Sequence, residues 1–170
     1  GYLDQAGGSI IQGSLDSGAF DRFVLSDGMI GDSLTDRFGK ELNKSFGSLP
    51  GSTGKGAGKF ADVAKAAGID SSGPYTGESY DAAALIVLAM QAGGKADRAT
   101  IQANVMDVAN APGKKIYPGE LKKALDLLAK GKAVDYEGAT GVMLTDVGEA
   151  AGSFLEKEIK GGKFKTKKQR

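Results

Sequence analysis

The sequence predicts an α/β fold in which helices pack in layers against a sheet. Residues 82–90 are almost wholly apolar, and a helix that is apolar on every side is expected to be buried on every side. Segments with helical spacing alternate with short apolar runs, in the approximate order αβαβ, four helices, then two or three strands. Glycine makes up 27 of the 170 residues, roughly twice its usual share of about 7%, which indicates many tight turns.

The first fifty residues predict two helices and two strands. Apolar spacing between Ile10 and Leu15 indicates a helix, and residues 33–42 indicate a second one. Between them, residues 18–28 form a short apolar run that ends in a Ser-Asp-Gly turn, so we expect a buried strand whose carboxyl end is at Asp27. Residues 45–49 predict the second strand, which a Pro-Gly pair ends.

The middle of the chain predicts helices and little strand. A glycine-rich connector at 51–58 precedes a helix that ends at Gly68, and the apolar helix covers residues 78–92. Two more helices are predicted over 97–111 and 118–131, the last with Pro near its start and Gly past its end. Because so little strand is encoded here, we expect these helices to pack on a sheet that is supplied mainly from outside the chain.

The end of the chain returns to strands and carries a concentration of positive charge. We expect a turn at 136–141, a strand at 142–145, and a hairpin of residues 152–159 and 163–165. The last eleven residues hold six bases and no acid, whereas the remaining 16 bases face 21 acids, a net charge of −5. A basic tail can indicate nucleic acid, but the acidic body argues against it. We therefore expect a solvated basic tail and no nucleic-acid partner.

Composition excludes several classes of function. Without Cys there is no disulfide, thiol nucleophile or thiolate metal site, and without His the commonest general base is missing. The serines lack a His partner for a triad, and no run reaches the ~20 apolar residues of a membrane span. No catalytic residue, metal site or cofactor is predicted. The chain begins at Gly1 without Met, and we expect it to be a fragment or a mature product of a longer chain.

The glycine-rich connector is a weak match to a phosphate-binding loop. That motif needs two glycines five residues apart, then Lys and a hydroxyl residue. Here Gly54 and Gly58 are four apart, and Phe60 follows Lys59. A flexible connector is the favoured interpretation of residues 51–59.

Two polar groups could bind a ligand or could be structural. Ser26 and Asp27 stand at the predicted carboxyl end of a strand, where ligands bind in open α/β sheets. The alternative is an ordinary Asp-Gly turn. Tyr75, Glu78, Tyr80 and Asp81 cluster before the apolar helix, where acids also stabilise a helix start through its dipole.

Three segments carry a resemblance to a known family. They are residues 75–94, Lys115-Ile-Tyr-Pro-Gly-Glu-Leu121 and Val134-Asp-Tyr-Glu-Gly-Ala-Thr-Gly141. In order and spacing they resemble the C-terminal half of a type I periplasmic solute-binding protein, and the nearest group is the branched-chain amino-acid binding proteins of ABC importers. The resemblance implies two three-layer α/β/α lobes with ligand between them. Residues 1–49 and 137–170 would belong to the second lobe, and residues 50–136, after a hinge crossover, to the first.

The resemblance also implies site residues and partners. The segment Phe23-Val-Leu-Ser-Asp-Gly-Met29 matches the family without a gap and places Asp27 where an acid pairs with the ligand's ammonium group. The family commonly has Glu there. Ser26 adjoins this position, and Tyr2 or Leu3 would supply an aromatic or apolar wall of the cleft. The groups that hold the ligand's carboxylate would lie in the missing N-terminal half of the same protein.

The function implied is that of an extracytoplasmic or periplasmic binding protein without enzymatic activity. It would clasp an amino acid or a related small molecule by hinge closure and deliver it to the permease of an ABC transporter. Two alternatives remain: a sensory or regulatory domain of the same fold, and an enzyme that acts on amino acids or amides. The lack of His and Cys argues against the enzyme.

Overall fold

The computed structural model describes residues 2–170 and has the predicted α/β class. Its helices are α1 (Gly8–Asp16), α2 (Asp32–Phe38), α3 (Lys55–Ala66), α4 (Thr76–Gly93), α5 (Arg98–Ala109) and α6 (Leu121–Leu128). Its strands are β1 (Val24–Leu25), β2 (Phe46–Pro50), β3 (Lys114–Ile116), β4 (Val134–Tyr136), β5 (Met143–Leu144), β6 (Ala150–Ala151), β7 (Phe154–Lys160) and β8 (Lys163–Gln169). Short π- and 3₁₀-helical turns cover Leu3–Gly7, Asp27–Met29 and Gly39–Leu42.

The chain forms two compact units. The sheet unit comprises Gly1–Pro50 and Phe154–Arg170, and the helical unit comprises Gly51–Ser153. The sheet unit is therefore built from two parts of the chain that are far apart in sequence, with the whole helical unit inserted between them.

The sheet unit contains a four-stranded mixed sheet in the order β1-β2-β7-β8. Strand β2 pairs in parallel with β1, with Phe46 opposite Val24, and antiparallel with β7. Helices α1 and α2 contribute to the apolar core of this unit. Its buried members are Ile11, Leu25, Met29, Ile30, Leu34, Phe38, Leu42, Leu49 and Ile159.

The first strand is shorter and less buried than the sequence predicts. It spans two residues rather than most of 18–28, and Phe20 and Val24 are largely exposed. Successive residues of a strand point to opposite faces, so Leu25 enters the core while Val24 points away from it. The apolar run by itself does not indicate which of its residues face the core and which face away from it.

The helical unit is organised around α4, which packs against α5 and α6. Strands β3 and β4 form a parallel pair, with Ile116 opposite Tyr136, and both residues are fully buried. Helix α4 was expected to be buried on all sides, and this expectation is wrong for the chain as it stands. Its buried residues are Asp81, Ala84, Leu85, Leu88 and Ala89, whereas Ile86 and Val87 are 44% and 40% exposed.

The boundary between units differs from the sequence-based segments at one point. Residues 137–153 lie in the helical unit, and the assignment of residues 137–170 to the second lobe of a two-lobe protein stays a prediction. Ala139 is buried with Phe60 and Ala64, and the Asn110 side chain exchanges two 3.0 Å hydrogen bonds with the backbone of Leu144. These contacts hold the segment after β4 against the helices.

The basic residues at the end of the sequence form a strand. The hairpin predicted around Gly161 and Gly162 is present, but its second strand runs on to Gln169. No helix among residues 2–170 is long and apolar enough to cross a membrane.

Candidate functional site

Ser26 and Asp27 lie just beyond the carboxyl end of β1, in the sheet unit. Ser26 is extended and precedes the 3₁₀ turn that Asp27 begins. The Asp27 Oδ1 atom accepts a 2.7 Å hydrogen bond from the backbone N–H of Gly28. Both residues are exposed, whereas Met29 and Ile30 directly after them are buried in the core. Burial of Met29 and Ile30 thus anchors the turn, while Asp27 lies at the surface.

Tyr2 and Leu3 belong to a neighbouring turn. The carbonyl of Tyr2 accepts a 3.0 Å hydrogen bond from Gly7 N–H, which closes the π-helical turn. Gly7 lies so close to the Met29 side chain that a Cβ atom at this position would overlap the Met29 sulfur. The structure therefore brings the turns that begin with Leu3 and Asp27 together. Tyr2 is 62% exposed, while Leu3 is half-buried and packs against the core.

This arrangement suits a small cation such as an ammonium group. Asp27 begins its turn just beyond the carboxyl end of β1, where open α/β sheets bind ligands, and the exposed Tyr2 directly precedes the neighbouring turn. Carboxylates form charge-assisted hydrogen bonds with ammonium groups, and aromatic faces attract cations. Of the two alternatives at the start of the chain, Tyr2 has the exposed side chain. The role of these four residues stays a prediction.

Asp81 is a buried residue of the helical unit whose partners the sequence does not reveal. Its carboxylate is 2% exposed and accepts four hydrogen bonds. The donors are Tyr136 Oη at 2.9 Å, Ala139 N at 2.7 Å, and the backbone and hydroxyl of Thr140 at 2.9 and 2.8 Å. Burial, together with the Asp81 charge, raises the pKa of Tyr136 above its ordinary value, so the phenol stays a neutral donor. Asp81 thus ties the loop after β4 to α4.

Two other members of the predicted polar cluster, Tyr75 and Tyr80, lie at the start of α4. Tyr75 caps the helix in the left-handed conformation, with φ of 63°. The Tyr80 hydroxyl accepts a 3.2 Å hydrogen bond from Gly119 N–H, and its ring lies 5.2 Å from that of Phe60. Tyr80 and Asp81 therefore bind different segments of the chain, Tyr80 the turn at Gly119 and Asp81 the loop after β4.

Lys115 and Glu137 form an ion pair at the parallel strands of the helical unit. The hydrogen bond to Glu137 raises the pKa of Lys115. The Lys55 ammonium group lies 4.6 Å from the centre of the Tyr117 ring, two residues after Lys115. Lys55 begins α3, so the glycine-rich connector is partly helical, and this lysine contacts an aromatic ring.

Each unit also contains a cavity. One of about 580 Å³ lies on the sheet unit and is lined by Val24, Leu25, Phe46, Gly47, Ser48, Phe154, Glu156 and Arg170. One of about 420 Å³ lies between α3 and the start of α4, and its walls include Phe60, Ile69 and Tyr75. Neither is lined by the four predicted site residues. No cluster of three or more potential metal-ligating side chains occurs among residues 2–170.

Comparison with known proteins shows which folds and sequences this chain is similar to. No family model matches the chain. Its fold is similar to that of the leucine-binding protein LivK of Thermotoga maritima, with a TM-score of 0.69 at 18% identity over 99% of this chain and 42% of that one. The chain therefore has the fold of part of a type I periplasmic binding protein, as the sequence resemblance predicts.

A curated relative shares part of the sequence. Over 87 residues the chain is 34% identical to the chemotactic signal transduction system substrate-binding protein BasB of Halobacterium salinarum. The match covers 51% of this chain and 21% of the relative. The chain thus spans less than half of either protein, and both are named as binding proteins.

Proposed function

We propose that this chain forms part of an extracytoplasmic solute-binding protein that serves an ABC importer and takes an amino acid or a related small molecule. The observation that carries the proposal is the exposed, anchored carboxylate of Asp27 at the carboxyl end of β1, on a fold shared with a leucine-binding protein. Asp27 pairs with the ligand's ammonium group, and Tyr2 forms an aromatic wall beside it. Ser26 fixes the start of the turn.

The mechanism is ligand-driven hinge closure. A ligand that contacts both lobes of a two-lobe protein binds the closed state better than the open one, and this difference in affinity shifts the population towards closure. The permease then recognises the closed shape. No bond in the ligand is made or broken, so the protein releases the molecule that it bound.

Calorimetry with a panel of amino acids tests the proposal on the intact protein. A charge-assisted hydrogen bond contributes about 1.5–3 kcal/mol, so Asp27→Asn is expected to weaken binding by about one to two decades. Asp21→Asn, which removes an exposed carboxylate from the same unit, is the matched control and should leave affinity unchanged. Equal affinities for both variants would remove Asp27 from the site, and recovery of a chemically altered ligand would favour an enzyme.

A second candidate is a sensory binding protein, which is favoured by the name of the chemotactic relative. Both roles use the same ligand site and differ in the partner that recognises the closed form. Deletion of the gene separates them: loss of uptake of the labelled ligand supports the importer, whereas intact uptake with loss of movement towards the ligand supports the sensor.

A further inference from the structure

The most concentrated charge on the molecule lies along the hairpin of β7 and β8. The bases of residues 160–170 are Lys160, Lys163, Lys165, Lys167, Lys168 and Arg170, which we call the basic edge. Among residues 2–170, β8 is the last strand of its sheet and pairs only with β7. Residues 160–170 contain no acid, so the positive charge is not neutralised within the segment itself.

Strand register gathers these bases on one face. Lys163 pairs with Lys160 and Lys165 with Glu158, whereas Phe164 pairs with Ile159 on the face that joins the core. An irregularity in register at Glu156 and Lys157 leaves Lys167 as an extra residue before Lys168. The lysines of β8 therefore line the face turned away from the core, over about 20 Å of strand.

The acids on this face neutralise only part of the charge. Glu156 alone serves three bases, with distances of 3.0 Å to Arg170, 3.7 Å to Lys167 and 3.8 Å to Lys168. The ion pairs within residues 2–170 include none to Lys160, Lys163 or Lys165. With Glu156 and Glu158 counted, the six bases leave a net charge of +4 on a protein whose remainder is acidic.

The kinds of side chain indicate which partner this face suits. Five of the six bases are lysines, which act as hydrated point charges, whereas arginine is preferred for bidentate contacts to single carboxylates or phosphates. Lysine is also depleted in protein–protein interfaces. The hairpin has two aromatic residues: Phe164 packs against the core, and Phe154 at the start of β7 is 48% exposed. A single exposed ring does not form the series of platforms on which successive bases stack. A diffuse anionic surface needs neither fixed geometry nor stacking.

We propose that the basic edge docks the protein onto an anionic lipid surface. The proposal goes beyond the solute-binding function and does not depend on it. Each lysine or arginine close to an anionic lipid surface is attracted to its headgroups, and this attraction weakens as salt screens it. The competing explanation is that lysines merely keep an edge strand from pairing with another molecule.

Co-sedimentation with vesicles tests this proposal. The protein should bind phosphatidylcholine vesicles that contain phosphatidylglycerol, bind pure phosphatidylcholine vesicles far less, and dissociate at high salt. Each lysine near the surface contributes about fivefold in affinity, so the triple variant Lys163→Gln, Lys165→Gln, Lys168→Gln should bind about a hundredfold more weakly. The matched control is Lys95→Gln, Lys130→Gln, Lys132→Gln, which removes the same charge from exposed positions of the helical unit and should bind as the wild type does.

Three outcomes would overturn the proposal. The first is no preference for anionic vesicles, which leaves edge protection as the role of the lysines. The second is an equal loss of binding in both triple variants, which reflects net charge alone. The third is tighter binding to a single-stranded oligonucleotide than to vesicles under the same salt conditions. Circular dichroism of each variant establishes that its fold is retained, and solute binding should be unchanged in both.

Discussion

Asp81 shows how one buried carboxylate can organise a loop. All four of its hydrogen bonds come from β4 or the loop after it, and two of the donors are backbone N–H groups. Gly138 sits against this carboxylate with φ of 59°, and a Cβ there would overlap its oxygens. The loop therefore has the glycine that both its backbone conformation and the proximity of Asp81 require.

Asp81→Asn is expected to destabilise the protein by about 3 kcal/mol, because an amide NH₂ replaces an oxygen that accepts hydrogen bonds and faces donors in a buried site. Urea unfolding monitored by circular dichroism measures this change. Asp97→Asn is the matched control. Asp97 caps α5 by accepting a 2.8 Å hydrogen bond from Thr100 N–H, and Asn caps helices as well as Asp does. Equal stability of the two variants would contradict a special role for Asp81.

At the scale of residues, the sequence predicts features that depend on neighbouring residues better than features that depend on contacts between distant residues. The apolar run followed by Ser-Asp-Gly was enough to place Ser26 and Asp27 at the end of a strand. Nothing near Asp81 indicated its partners, because they lie 55 to 59 residues away. In the predicted helix over residues 78–92, Asp81 falls in the first turn, where the helix dipole is a sufficient local explanation for an acid. In the structure α4 begins at Thr76, so Asp81 lies beyond the first turn and its carboxylate binds the loop after β4.

Helix α3 contains two glycines in different environments. Gly56 faces the loop after β4, and a Cβ there would overlap the carbonyl oxygen of Gly138. Apart from its chain neighbours and the backbone of its own helix, Gly58 has no atom within 4 Å of the position a Cβ would take. The first glycine permits close packing of helix on loop, while the second only weakens the helix.

Alanine at these two positions should act in opposite directions. Gly58→Ala is expected to stabilise the protein by up to about 1 kcal/mol, since alanine is the better helix former. Gly56→Ala should destabilise it, because helix and loop must move apart and the packing of Phe60 and Ala139 is lost. Thermal unfolding of both variants compares them directly. A rise in Tm for Gly56→Ala would show that the loop is free to move.

The helices were more predictable than the strands, for reasons of length. Apolar spacing and terminal signals such as Asp97 and Gly131 placed the longer helices within a few residues. Strands β3 and β4 have three residues each and pair across an intervening helix, so too few positions exist for an alternating pattern to stand out. The hairpin of β7 and β8 was found because a Gly-Gly pair marks its turn.

The whole molecule depends on pairing between distant parts of the chain. Strand β2 lies between β1 and β7, so the sheet unit forms only when the strands on both sides of the helical unit meet. Local patterns carry no information about such a meeting. The compact sheet unit resumes at Phe154, and the lobe boundary at residue 137 that the family resemblance implies stays a prediction.

Helix α4 exposes an apolar stripe that affects the behaviour of the isolated chain. Ala82, Ala83, Ile86 and Val87 are exposed, while Ala84 and Leu85 between the two pairs are buried. Residues four apart lie on the same side of a helix, so these four residues form one continuous face. In the proposed two-lobe protein, this face would pack against a sheet supplied from outside the chain.

The purified 170-residue chain is therefore expected to self-associate through this stripe. Burying one large aliphatic side chain contributes about 1.5–3 kcal/mol, so Ile86→Ser with Val87→Ser should weaken association by at least about tenfold. Sedimentation velocity over a range of concentrations measures the change. Ala82→Ser with Ala83→Ser, one turn earlier on the same face, is the control and should have a much smaller effect because little apolar area is removed. A wild-type chain that stays monomeric and melts cooperatively would show that the helical unit completes its own core, and would refute the assignment of α4 to a larger lobe.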